Sequence, residues 1–106
     1  MHRGRLEAMV QTTWTTTGVF TGRGGARTDG AGTVTGELTV RTTWDGKQAE
    51  VKVQYSGTAQ WFTLVGSPVP CPSQQDSRRL HQAVVEAVRE GGGAIVPQPG
   101  QLWTRR

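Results

Sequence analysis

The chain has no asparagine, one isoleucine, one tyrosine, two phenylalanines and two lysines in 106 residues. These five residue types share AT-rich codons, so their scarcity reads as GC-rich coding. The ten arginines therefore carry less weight as a phosphate-binding signal. A single cysteine, Cys71, excludes an intrachain disulfide and any cysteine-based zinc site within one chain. His2 and His81 stand far apart among scattered carboxylates and show no zinc-ligand spacing, so neither a metal nor a cofactor is expected. The phosphate-loop motif is absent. The N-terminus has no apolar signal-peptide core and nothing approaches a membrane span, which gives the expectation of a cytoplasmic protein with no membrane partner.

What remains is a short chain with fifteen glycines and 34% hydrophobic residues. Its length predicts a single domain with a modest core, spanning 8–96, with loosely docked tails at 1–7 and 97–106. The net charge of +4 is dispersed. Residues 33–65 are neutral, and the surplus falls on the termini, a loop and a helix. Such a distribution gives solubility and weak attraction to polyanions rather than a basic stripe.

The strongest local signal is Asp45-Gly46 between two alternating runs, since a tight hairpin turn favours residues that tolerate positive φ. A two-residue turn sets Trp44 against Lys47. It pairs Thr42 with Ala49, Val40 with Val51 and Leu38 with Val53 on an apolar face. Arg41 then meets Glu50, and Thr39 meets Lys52, on a polar face. Strands are expected over 8–21, 33–44, 47–55 and 58–65. Val10, Trp14 and Phe20 share a face unless Gly18 marks a bulge. Residues 22–32 read as a glycine-rich loop, expected to be the most mobile internal segment. A two-residue turn at Ser56-Gly57 puts Phe62 on the apolar face and Trp61 on the polar face beside Lys52; a three-residue turn exchanges them.

Residues 66–72 contain three prolines and read as an extended connector. Ser73-Gln74-Gln75-Asp76 matches a capping box, with Asp76 reaching back to the N-cap. The helix it opens runs to about residue 90 and carries a core stripe of Leu80, Ala83, Val84, Ala87 and Val88, with His81 off it. Gly91-Gly92-Gly93 ends the helix, and 94–96 is a candidate short fifth strand. The fold class is α+β: a four-stranded antiparallel meander with one C-terminal helix packed on one face.

This element order resembles the single-strand-binding folds of the Whirly type, though none of their residue motifs is present. The resemblance implies an open sheet face of basic and aromatic groups that takes backbone and bases. The residues available for that are Lys52, Arg23, Arg27, Arg105 and Arg106, with Trp61 for stacking and Trp14 or Trp44 nearby. The expected pairing of Arg41 with Glu50 neutralises the face and weighs against nucleic acid.

Catalytic constellations are thin. Cys71 and His81 are the one nucleophile–base combination, and Cys71 between two prolines reads as a structural thiol. Glu86 and Glu90 flank Arg89 as a solvated charge pattern. The Arg-Gly-Gly at 23–25 occurs once and fits a flexible loop. The expectation is a non-catalytic interaction module that binds a protein partner or itself through the open face or an edge strand. Trp14, Trp61 and Arg41 are the expected contacts, and the Thr-rich first strand is the expected edge. Weak binding of single-stranded nucleic acid is the alternative.

Overall fold

The computed structural model describes residues 11–98. Its order is β1 (Thr12–Phe20), β2 (Ala26–Thr28), β3 (Gly32–Val34), β4 (Glu37–Trp44), β5 (Gln48–Tyr55), β6 (Phe62–Thr63), β7 (Val69–Pro70) and α1 (Gln74–Glu90). The main antiparallel sheet runs β1-β4-β5-β6, with β7 also on β5, and α1 packs across β1 and β4 on one face. The expected α+β architecture is the one observed.

The β4–β5 hairpin keeps the expected faces but not the expected partners. Trp44 stands opposite Ala49, Thr42 opposite Val51, Val40 opposite Val53 and Arg41 opposite Lys52. The turn spans Asp45 to Gln48, closed by Asp45 N donating to Gln48 O at 3.1 Å. The Asp45 carboxylate accepts from Lys47 N and Gln48 N, both at 2.9 Å, which stabilises the longer loop. These bonds hold its pKa below the ordinary carboxylate value. The ladder is displaced by two residues. Side chains alternate with period two, so an even displacement preserves both faces while replacing every pair. The same holds at the next turn: Phe62 meets Val53 and Thr63 meets Lys52, across six loop residues rather than two.

In β1 the register breaks between Thr16 and Val19, where Gly18 adopts φ 67°. The bulge turns Val19 into the core and leaves Phe20 66% exposed. Phe20 therefore does not share the face of Trp14. On the far side of β5, β6 and β7 lie end to end, and Ser67 Oγ accepts from Val51 N at 2.8 Å in the gap between them. The connector thus supplies the fifth strand. Residues 94–96 form only an isolated parallel bridge, Ala26 to Ala94.

The glycine-rich segment is not a free loop. It folds into the β2–β3 hairpin and docks on the end of α1. Gly22 N donates to Val88 O at 3.0 Å, Gly92 N to Arg23 O at 2.6 Å and Ala94 N to Gly25 O at 2.9 Å. A Cβ on Gly22 would collide with the carbonyl oxygens of Glu90 and Arg89, so glycine is required by backbone approach. The core beneath includes Val19, Leu38, Val40, Val51, Val53, Leu64, Leu80, Val84, Val88 and Val96.

Ser73 caps α1, its Oγ accepting from Asp76 N at 3.1 Å. The capping box is only half formed: the Asp76 carboxylate turns forward to Arg79, 3.7 Å away. The buried face of α1 is Ser77, Leu80, His81, Val84, Val85 and Val88, while Ala83 and Ala87 are half-buried. His81 is therefore in the stripe rather than off it.

Candidate binding surfaces on the sheet

The helix divides the sheet into two unlike faces. On its own side the contact with β1 and β4 is partly polar. Trp14 Nε1 donates to Ser77 Oγ at 2.9 Å, and Ser77 Oγ donates to Gln74 O at 2.6 Å. His81 lies between two threonines, with Nε2 2.8 Å from Thr16 Oγ1 and Nδ1 2.9 Å from Thr42 Oγ1. A neutral imidazole has one donor and one acceptor, and hydroxyls can serve either, so both ring nitrogens are satisfied. Burial pushes the His81 pKa below its ordinary value. Apolar periodicity misses this layer because Ser77 and His81 are polar and their partners are Trp14 and Thr16 of β1 and Thr42 of β4.

The same bonds separate His81 from nucleophile chemistry. Both its nitrogens are engaged by threonines, and none of its bonds reaches Cys71. The Cys71 thiol is buried, sits 3.6 Å from Ser73 O and has its pKa pushed up, chiefly by desolvation. That is the environment of an inert thiol. Among the described residues no group of three or more His, Cys, Asp or Glu side chains is placed to hold a metal ion, and no helix is long and apolar enough to cross a membrane.

Of the tryptophans in the described residues, two belong to the helix side. Trp14 shares a face with the buried Thr42 opposite it. Trp44 Nε1 donates to Cys71 O at 2.9 Å. Trp61 is on the other face, where the Arg41 guanidinium carbon lies 4.0 Å from its ring centroid. Thr15, Arg41, Lys52 and Thr63 form one row across four strands on this face. Arg41 and Lys52 are adjacent like charges, and neither has a carboxylate within ion-pairing distance among the described residues. The expected neutralisation of Arg41 by Glu50 is overturned: Glu50 stands across from Thr43. Phe20, exposed by the bulge and opposite Glu37, adds an apolar group to the same face.

The structure therefore brings Arg41, Trp61 and Lys52 together and puts Trp14 on the opposite side of the sheet. Arg23 and Arg27 are exposed but belong elsewhere, with backbones bonded to Gly92, Ala94 and Val65 beside the end of α1. Arg105 and Arg106 lie outside the described residues. Comparison with protein-family models, curated proteins and solved structures finds no match to this chain.

Proposed function

We propose that this protein is a non-catalytic interaction module that holds a protein partner on the open face of its sheet. The observation that carries this reading is the Arg41–Trp61 stack, on a face opposite the one that α1 covers. Arginine and tryptophan are the side chains that most often dominate protein interfaces, because each combines a large flat apolar surface with directed polarity. Stacking holds the guanidinium in place before a partner arrives, which lowers the ordering cost of binding. Exposed Phe20 extends the surface beyond the polar row.

The test is affinity capture from the cell that makes the protein, using the wild type, Arg41→Glu and Trp61→Ala. A partner retained by the wild type and lost by both variants supports the reading. Partners retained equally by all three contradict it.

A second reading has its own observation. Arg41 and Lys52 side by side with Trp61 present a local positive charge and an aromatic surface, the elements of a single-stranded nucleic-acid platform. That reading predicts binding of a labelled oligothymidylate that weakens steeply as salt rises. No binding at low salt removes it.

A further inference from the structure

We propose that the outer edge of β1, with the adjoining flank of α1, is a strand-addition site for an extended acidic segment of a partner protein. This site is separate from the open face and does not depend on what that face holds.

Among the described residues, the outer edge of β1 carries unpaired backbone groups. In an antiparallel pair, each residue turns both its N–H and its C=O to the same side, and successive residues alternate. Asp45 N bonds to Gln48 O and Ser56 N to Glu37 O, so the odd-numbered residues of β4 face β5. Its even-numbered residues face β1, as the bond from Thr21 N to Gly36 O also requires. Trp14 and Thr16, opposite Thr42 and Val40, therefore spend their backbone groups on β4. Thr13 and Thr15 turn theirs outward, where the sheet order has no further strand among the described residues.

This edge also lacks the usual protection. Proteins commonly blunt a free edge with lysine, proline, an inward charge or a very short strand. Residues 12–20 contain no charge and no proline, and β1 is nine residues long. Its one bulge lies at the far end, after Thr16.

The flank of α1 selects the occupant. Trp14 is level with Ser77 and Thr16 with His81. Four helical residues rise about 6 Å, close to the rise of two strand residues, so α1 runs alongside β1, above the sheet face that carries Trp14, Thr16 and Thr42. Two depressions follow the flank of α1 that borders β1. One of about 310 Å³ is lined by Trp14, Gln74, Gln75 and Arg78. The other, of about 380 Å³, is lined by Thr16 and by α1 as far as Arg89. An added strand places the side chain opposite Trp14 on the same face as Trp14, against Arg78. Arg78 is exposed and has no ion-pair partner among the described residues, whereas neighbouring Arg79 is engaged by Asp76. Glu86 is the one acidic residue lining the second depression, beside Arg89. The Arg78 end therefore selects a carboxylate. A second copy fits less well: antiparallel pairing of β1 with itself about Trp14 brings both Arg78 side chains to the same axis. Nucleic acid has no backbone ladder with which to use Thr13 and Thr15.

The probe is a nine-residue peptide of alternating threonine and glutamate with blocked ends, compared with one of threonine and lysine. Amide exchange and chemical shifts are read on the full chain. The glutamate peptide is expected to slow exchange at Thr13 and Thr15 and to bind more tightly than the lysine peptide. Thr15→Pro removes an outward N–H without touching a β4 bond and is expected to weaken binding about tenfold. Arg78→Glu, on the exposed side of the helix, is expected to reverse the preference between peptides. Binding that leaves Thr13 and Thr15 exchange unchanged overturns the proposal, as does indifference to the glutamate–lysine swap. So does binding of neither peptide. Protection of these amides that grows with protein concentration alone also overturns it, in favour of a second copy.

Discussion

Arg41 faces Lys52 directly across the β4–β5 ladder, with Trp61 stacked on the arginine. Two like charges held side by side on a sheet cost stability unless a partner uses them. Lys52→Glu converts the pair into one of opposite sign and is expected to raise folding stability by about 0.2–1 kcal/mol, measured by urea denaturation. The same variant is expected to lose partner binding. A surface that gains stability when its function is removed is the signature of a binding site.

His81 makes stability depend on pH. Its folded pKa lies below its unfolded value, so the unfolded chain binds the proton more readily. Stability is complete above the ordinary value of 6.5 and declines as pH falls from there towards the folded pKa. Urea midpoints between neutral pH and about pH 5 should show this decline, and His81→Phe should flatten it. Thr42→Val strands a ring nitrogen and should cost about 1–3 kcal/mol.

The glycine-rich segment yields a contrast between two positions. Gly22→Ala is expected to destabilise by about 1–3 kcal/mol, because the methyl meets the carbonyls that end α1. Gly30 has open space around it but a φ of +95°, so Gly30→Ala tests backbone strain alone. Amide exchange at Ala94 should accelerate in the Gly22 variant and not in the Gly30 variant, since of these two glycines only Gly22 packs on and bonds to the end of α1.

The sequence revealed faces better than partners. Alternation in 37–44 and 48–55 specifies which residues turn inward, and a two-residue displacement leaves that intact. The displacement itself depends on whether Asp45 opens a two-residue turn or caps a four-residue one, and both use the same dipeptide. Trp61 could be assigned to the open face on condition of an even loop; its stack on Arg41 could not, because that contact crosses strands whose register had moved. The docking of Gly22 on Glu90 and Arg89 joins segments far apart in sequence, and a run of glycines alone does not distinguish close approach from mobility. Ser73 as N-cap was readable because its partner lies three residues away.

The most direct test of the open face as the contact surface is photo-crosslinking in the cell that makes the protein. A photoreactive residue replaces Thr43, on the open face beside Arg41, or Glu90, whose side chain is exposed on the last turn of α1. The account predicts a discrete adduct from position 43 that disappears in the Trp61→Ala background, and none from position 90. An adduct from position 43 that persists without the Trp61 ring, or adducts from position 90 alone, contradicts it.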